Sequence, residues 1–271
     1  MRSRKDEALG PSVLRHIPSE RYQRGRDLTW SIVARDPKTG ALGIAVASGG
    51  ASAGNRVPFV KAGVGAVAAQ GLVSTPYGSA ILSMLEKGAS PDEITEALGG
   101  QEGAFGQRQF HLINAAGENA AYTGEQCEYF AGHILGRGVS VAGNFLAGPH
   151  VLTEALKVYN AGQGDPIPER LLAALMAGQS AGGDIRGVRS AGLTVATDQS
   201  STPIQISADA SHDPIGEIKN MYAREQRRQQ TARLFAQQII GPSASMVDGA
   251  KPGFTRAMGQ FITGRNNGGL Y

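Results

Sequence analysis

Thr29 is the residue whose type and position best suit it to chemistry, because it stands where a charged, aperiodic stretch ends and the first apolar run begins. A threonine that begins a mature chain carries a nucleophilic hydroxyl and a free α-amine, and the amine can take the hydroxyl proton. Such an amine titrates at about pH 8, so a neutral fraction exists at physiological pH. Inside a longer chain, Thr29 is an ordinary β-branched residue that starts a strand. The local sequence leaves both interpretations open.

Three polar residues are candidates to assist such a nucleophile. Ser31 lies two residues beyond Thr29 and shares its strand face, where we expect it to hydrogen-bond the amine rather than to attack. Asn144 ends a predicted strand, and its amide suits either donation to a developing oxyanion or the geometry of a turn. Gln70 also ends a predicted strand, where it either lines a pocket or caps the turn at Gly71.

A charged pair lies in the glycine-flanked segment 182–187. Asp184 and Arg186 are two residues apart, so in an extended conformation their side chains point the same way. Together they predict a clamp for a charged group of a substrate. The alternative is a salt bridge within a loop.

Familiar catalytic motifs are missing, since the sequence contains no G-x-S-x-G, no H-E-x-x-H and no P-loop. Five histidines are scattered, and none is paired at metal-ligand spacing, so the sequence predicts no metal site. We expect His111, which alternates with apolar neighbours, to face solvent and His133 to be structural. Cys127 is the only cysteine, so an intrachain disulfide is excluded, and nothing beside it would activate the thiol.

The composition is that of a folded protein, since 41% of the 271 residues are hydrophobic and 18% are charged. Residues 1–28 account for the whole formal charge of +3, with seven Lys and Arg against four Asp and Glu. A neutral body predicts no specific nucleic-acid partner. No apolar stretch reaches the roughly 18 residues of a membrane helix, so we expect no membrane partner. A single cysteine fits the reducing cytoplasm, where we expect this protein.

Residue patterns predict strands and helices that come in separate runs. Strands are predicted at 29–34, 42–47, 64–69, 109–114, 119–123, 139–143, 190–196 and 204–207, and helices at 77–87, 91–98, 151–159, 167–179 and 213–240. This order favours antiparallel sheets with helices outside them over alternating βαβ units, and hence an α+β fold.

Three parts are predicted along the chain. Residues 1–28 are expected to be a flexible extension, either a propeptide or the product of a misassigned start, and residues 29–220 a single domain. Residues 221–271 are expected to hold a basic helix and a glycine-rich tail. The arginines of that helix predict a solvated face or an oligomer contact, with an anionic ligand as a lesser alternative, and we expect a homo-oligomer.

An ordered set of short stretches resembles the domain-of-unknown-function family 1028, which is assigned to the N-terminal-nucleophile (Ntn) hydrolase superfamily. The stretches are TWSIVARDP (29–37), GIAVAS (43–48), AGVGAV (62–67) with Gln70, PYG (76–78), YTG (122–124), AGH (131–133), GNFLAG (143–148) and QSAGGDIRG (179–187) running into Ser190 and Ala191. The resemblance covers about residues 29–220 and implies an αββα four-layer sandwich of two antiparallel sheets. It supplies no substrate.

This sequence departs from the family pattern in three places. Family members usually begin at or near the threonine, so the extension 1–28 is unusual. Gly49 and Gly50 replace the bulky or basic residues that often follow the second strand, which affects the shape of a pocket. The arginine-rich helix and the tail lie outside the common domain.

These observations together predict an Ntn-type amidohydrolase that cleaves a small amide and needs no cofactor, because the chemistry is acyl transfer. The alternative is a ligand-binding or scaffold protein that keeps the fold without catalysis, and a weaker one is an interaction module that uses the basic helix. We expect the active chain to begin at Thr29. Two leucine codons, TTG and CTG, also serve as bacterial start codons, so translation that starts at Leu28 is one route to this first residue, once the initiator methionine is removed. Self-cleavage of the peptide bond before Thr29 is the rival route.

Overall fold

The structure is a computed structural model that describes residues 29–72, 75–99, 104–197 and 202–240. The expectations for the extension 1–28 and for the tail after residue 240 lie outside these residues. Contacts divide the chain into two compact units, one of residues 1–199 with 203–221 and the other of residues 200–202 with 222–271. The strands and all helices except the later part of the last one belong to the first unit.

Within the described residues the strands are β1 (Thr29–Arg35), β2 (Leu42–Ser48), β3 (Pro58–Lys61), β4 (Gly65–Gly71), β5 (Arg108–Asn114), β6 (Asn119–Thr123), β7 (Phe130–Gly136), β8 (Val139–Leu146), β9 (Ser190–Ala196) and β10 (Ile204–Asp209). The helices are α1 (Ala53–Arg56), α2 (Thr75–Glu86), α3 (Pro91–Gly99), α4 (His150–Ala161), α5 (Ile167–Ser180) and α6 (Pro214–Ile240). A 3-10 turn spans Ala104–Gln107. Every strand and helix predicted from the sequence is present, with bounds that differ by a few residues.

The strands form two sheets. The first has six strands in the order β10-β9-β2-β1-β8-β7, and the second has four in the order β3-β4-β5-β6. Every pairing is antiparallel. The prediction of a mixed α+β fold with two antiparallel sheets is confirmed.

The two sheets pack face to face, with β1 against β4 and β5 against β8. Apolar side chains fill the space between them, namely Val33, Leu42, Ile44, Val46, Ala53, Val57, Ala66, Ala68 and Ile113. The helices α4 and α5 contact the first sheet, and α2 and α3 contact the second. The inner strands β1 and β5 are therefore covered on both faces.

Alternation along β1 gives its side chains two different surroundings. Trp30 points to α5, where a Cβ at position 178 would come within 2.7 Å of the indole Nε1, so Gly178 lets the helix approach the sheet. Thr29 and Ser31 point the other way, into the space between the sheets. That space is apolar at its centre and polar near the N-terminal end of β1, where the candidate site lies.

Candidate active site

Thr29 opens β1, and side chains from the two neighbouring strands bind its nitrogen and its hydroxyl. Its nitrogen donates to Asn144 Oδ1 over 3.3 Å, and its Oγ1 donates to Ser48 Oγ over 3.2 Å. Ser48 ends β2 directly opposite Thr29 in the antiparallel register. Thr29 is fully buried, and its nitrogen is joined to Leu28 by a peptide bond in this chain.

Asn144 lies near the end of β8, next to β1. Its Oδ1 accepts from the Thr29 nitrogen, and its Nδ2 donates to Gln109 Oε1 over 2.9 Å. The next residue, Phe145, has a φ of 57°, an uncommon conformation for a residue other than glycine. The side chain predicted to serve an oxyanion thus lies beside Thr29, while the oxyanion role itself stays a prediction.

Ser31 does not form the hydrogen bond to the Thr29 nitrogen that the sequence predicts. Its Oγ donates instead to Gln70 Oε1 over 2.7 Å, and it lies 2.7 Å from His111 Nε2. Ser31 lies two residues further along β1, where its side chain contacts β4 and β5 of the second sheet instead. It therefore reaches Thr29 only through other side chains.

Gln70 points inward, between the sheets, and does not cap the turn that follows β4. Its Nε2 donates to Gln109 Oε1 over 2.8 Å and lies 3.5 Å from the Thr29 carbonyl oxygen. The turn itself is made by Gly71, whose φ of +79° suits glycine. Gln70 is thus part of the polar group around Thr29.

The expectation that His111 faces solvent is wrong. His111 is fully buried between Ser31 and Ser140, whose Oγ bonds to its Nδ1. Burial, with a further contribution from His133, lowers the pKa of His111 to about 3, so the ring is neutral at physiological pH. The alternation along β5 suggested a solvated face, but the first sheet covers that face.

Asp184 and Arg186 pair with each other, as the loop alternative predicts. Arg186 Nη2 lies 2.9 Å from Asp184 Oδ2 and its Nε lies 3.1 Å from Oδ1. Asp184 Oδ2 also accepts from the Gly49 nitrogen over 2.8 Å. A Cβ at position 49 would lie within 2.8 Å of both side chains, so glycine there makes room for the pair. The pair therefore anchors the chain just after Ser48.

A small pocket, with room for about one water molecule, lies beside Asn144. It is lined by Gly71, Leu72, Gln107, Gln126, Cys127, Glu128, Asn144 and Phe145. Burial raises the pKa of the Cys127 thiol to about 12, so the sulfur is protonated and unreactive at physiological pH. The polar group around Thr29 thus adjoins a small opening at Asn144.

Sequence reasoning missed Ser48, Gln109 and Ser140, which are buried within this polar group. Gln109 hydrogen-bonds both Gln70 and Asn144, the two amide side chains next to Thr29. The available signal was strand alternation, which places Gln109 and His111 on one face of β5. That both face the buried polar group depends on how the two sheets stack, which no local pattern encodes.

The described residues contain neither a metal-ligand cluster nor a membrane-spanning helix. No three His, Cys, Asp or Glu side chains in the described ranges come together as metal ligands would. Nor does any described helix combine the length and the apolar character needed to cross a membrane.

Residues 29–218 match the profile of a family of unknown function (DUF1028). The chain belongs to this family. A family member from Silicibacter pomeroyi, known from a crystal structure, is 30% identical, with a TM-score of 0.67 over 73% of this chain and 85% of that one. The ancestral β-subunit Anbu from Yersinia bercovieri is 11% identical over 77% of this chain and 97% of its own, but its TM-score of 0.36 supports no argument. None of the curated proteins matches.

The DUF1028 match begins at Thr29, the residue at the centre of the polar group, and ends within α6. The predicted membership of this family is confirmed. The function of this family is unknown, so any chemistry of this chain has to follow from its site.

Proposed function

We propose that this protein is an Ntn-type amidohydrolase that cleaves a small amide with Thr29 as its nucleophile. The observation that carries the proposal is the double anchoring of Thr29 at the start of a central strand, with Asn144 on its nitrogen and Ser48 on its hydroxyl. The family match that begins at Thr29 supports it. The two helix pairs outside the two sheets fit an αββα four-layer sandwich of the Ntn type.

The reaction is an acyl transfer in two halves. Thr29 Oγ1 attacks the carbonyl carbon of the amide, and the α-amine of Thr29 takes the hydroxyl proton. The tetrahedral intermediate breaks its carbon–nitrogen bond, and the amine returns the proton to the leaving nitrogen. Water, activated by the same amine, then hydrolyses the ester on Thr29 and restores the hydroxyl.

Asn144 serves this reaction through both ends of its amide. Its Oδ1 accepts a hydrogen from the amine and so fixes the direction of the nitrogen lone pair. Its Nδ2 carries two hydrogens and donates one to Gln109, and we assign the other to the developing oxyanion. Removing one such donor costs about 10²- to 10³-fold in rate in well-studied hydrolases.

Substrate binding is assigned to the surface around Asn144 and to residues near it. Ser31 and Gln70 hydrogen-bond each other, and we assign them to the support of the bound substrate. Arg186 keeps 16% of its side-chain surface exposed, so it can contact a charged group of the substrate while Asp184 holds it in place.

Catalysis requires that residues 1–28 be absent from the active form, since the Thr29 nitrogen is a peptide nitrogen while Leu28 precedes it. Translation that starts at position 28 followed by removal of the initiator methionine gives this result, and so does self-cleavage before Thr29. Both routes end at the same first residue.

A second function, ligand binding without catalysis, is favoured by one observation. In the full chain Thr29 is fully buried, and its nitrogen has no lone pair to act as a base. A protein that keeps residues 1–28 would therefore keep the fold and the pocket without the chemistry.

The test uses an acylating probe, a β-lactone, because an N-terminal threonine opens this ring and retains the acyl group. The full chain is folded with a site-specific protease sequence in place of residues 25–28, so that cleavage leaves Thr29 first. We expect peptide mapping to find the acyl group on Thr29 after cleavage and no adduct before it. Acylation of neither form would refute the proposal and favour ligand binding.

Two substitutions control this test. Thr29→Val removes the hydroxyl and should abolish the adduct. Thr194→Val removes another buried threonine hydroxyl from the first sheet, one with no hydrogen-bond partner among the described residues, and should leave labelling unchanged. Equal loss in both variants would show that damage to the sheet, rather than loss of the nucleophile, explains the result.

A further inference from the structure

The orientation of one buried amide, Gln109, is dictated by backbone carbonyls. Its Nε2 donates to the carbonyl oxygen of Gly143 over 2.9 Å and to that of Gly132 over 3.1 Å. A carbonyl oxygen only accepts hydrogen bonds, so the NH₂ end of Gln109 must face both of them. Its Oε1 therefore has to face the opposite side, toward Asn144 and Gln70.

This orientation determines the two amides that meet Gln109. Asn144 Nδ2 lies 2.9 Å from Gln109 Oε1, and Gln70 Nε2 lies 2.8 Å from the same atom. Since that oxygen only accepts, each neighbour must present its NH₂ end to it. Asn144 is left with Oδ1 toward the Thr29 nitrogen, 3.3 Å away.

Beyond Gln70, each hydrogen bond likewise has one donor and one acceptor that its neighbours determine. Gln70 Oε1 accepts from the Ser31 hydroxyl, so the Ser31 oxygen accepts in turn from His111 Nε2–H. His111 Nδ1 is then left to accept from the Ser140 hydroxyl. A neutral ring carries one N–H, which matches this arrangement.

We infer that Gln109 is a positioning residue that holds Asn144 with its oxygen, and not its NH₂, toward the Thr29 amine. This inference rests on the proposed function. In the reversed orientation, Asn144 would donate a hydrogen into the lone pair of the amine. That lone pair must take the hydroxyl proton, so the base would be blocked. Gln109 thus keeps the base available without touching Thr29 or the substrate.

The inference predicts the direction in which the amine titrates. An amide oxygen beside the amine stabilises its protonated form, whereas an NH₂ group stabilises its neutral form. In Gln109→Met, which has similar length and no polar end, Asn144 is free to reverse. We expect the pKa of the Thr29 amine to fall by about one unit, a tenfold change in proton affinity, as for the loss of a hydrogen bond to a charged group. We expect β-lactone acylation to slow by about 10²-fold, typical of a misplaced catalytic group.

The experiment follows the ¹³C chemical shifts of Thr29 against pH in threonine-labelled protein, folded as the full chain and then cleaved before Thr29. Ser140→Ala is the matched control, because it removes a buried hydroxyl at the far end of the same network and leaves Gln109 and Asn144 in place. It should leave the pKa of the amine unchanged. An unchanged pKa in folded Gln109→Met, or an equal shift in Ser140→Ala, would overturn the inference.

Two further outcomes are decisive. If Gln109→Met does not fold, the orientation of Asn144 is measured in the cleaved wild-type protein. The strengths of the nuclear Overhauser effects then show whether the Asn144 NH₂ hydrogens lie closer to Gln109 or to Thr29. Proximity to Thr29 would contradict the inference, and proximity to Gln109 would support it. The titration needs no turnover, so a wild-type protein that the β-lactone fails to acylate refutes the proposed function and leaves the test of Gln109 intact.

Discussion

Replacing His111 with a residue that does not titrate should remove much of the sensitivity of this protein to acid. His111 is fully buried, and burial together with His133 lowers its pKa from 6.5 to about 3. The unfolded chain therefore binds a proton at this residue at pH values where the folded chain does not. The folded state keeps its full stability above about pH 6.5 and loses it as the pH falls toward 3.

The size of this effect follows from the shift. Each pH unit between the two pKa values costs about 1.4 kcal/mol, so acidification from pH 6.5 to pH 5 costs about 2 kcal/mol through His111 alone. We expect His111→Gln to be less stable than wild type at pH 7, because glutamine cannot bond Ser31 and Ser140 in the same geometry. We also expect it to lose about 2 kcal/mol less than wild type on going to pH 5.

The assay is urea unfolding at a series of pH values, followed by the fluorescence of Trp30. This is the only tryptophan of the chain, and it is buried under α5. His212→Gln is the matched control, because His212 is exposed, and His133 is retained in both variants. An equal loss of stability on acidification in His111→Gln and wild type would contradict this prediction. So would a His212→Gln variant whose stability depends on pH as weakly as that of His111→Gln.

Three further predictions concern packing and charge. Gly178→Ala places a Cβ within 2.7 Å of Trp30 and should lower the free energy of unfolding by about 1–3 kcal/mol, measured in urea. Asp184→Asn removes the charge that Arg186 and the Gly49 nitrogen share, and should cost about 1–3 kcal/mol in the same assay. Cys127 is buried with a raised pKa, so iodoacetamide should label it slowly in native protein and quickly in urea.

Each of these predictions has a control and a contradictory outcome. Glu154→Gln breaks an exposed ion pair with Lys157 and should change the free energy of unfolding by less than about 1 kcal/mol. An equally small change in Asp184→Asn would show that the buried carboxylate of Asp184 contributes no more than this exposed pair. Wild-type stability in Gly178→Ala would show that α5 shifts freely over the sheet. Rapid native labelling of Cys127 would show that its pocket opens.

The fold could be predicted where local patterns are strong. The hairpin of β1 and β2 combines β-branched and apolar runs with a turn that contains proline and glycine, and both strands appear where predicted. Two strands were missed. The strand β3 has only four residues and opens at Pro58, while β7 contains Gly132 and Gly136, and such residues weaken a strand signal.

The candidate site could be predicted only in part, because its residues are of two kinds. Thr29, Asn144 and Gln70 lie near strand ends, which a sequence pattern locates, and the structure brings all three together. Gln109 and His111 lie on one face of β5, and their role depends on the stacking of one sheet on the other. That stacking is a long-range property, so alternation alone predicted a solvated histidine where a buried one lies.

The first residue of the active protein is the most direct test of the central claim that Thr29 is an N-terminal nucleophile. The measurement is the mass of the N-terminal peptide of protein made from its own gene in its own host, taken on the fraction that the β-lactone acylates. The account predicts a peptide that begins at Thr29, with the acyl group on that residue. A fully acylated protein that still carries residues 1–28 would contradict it.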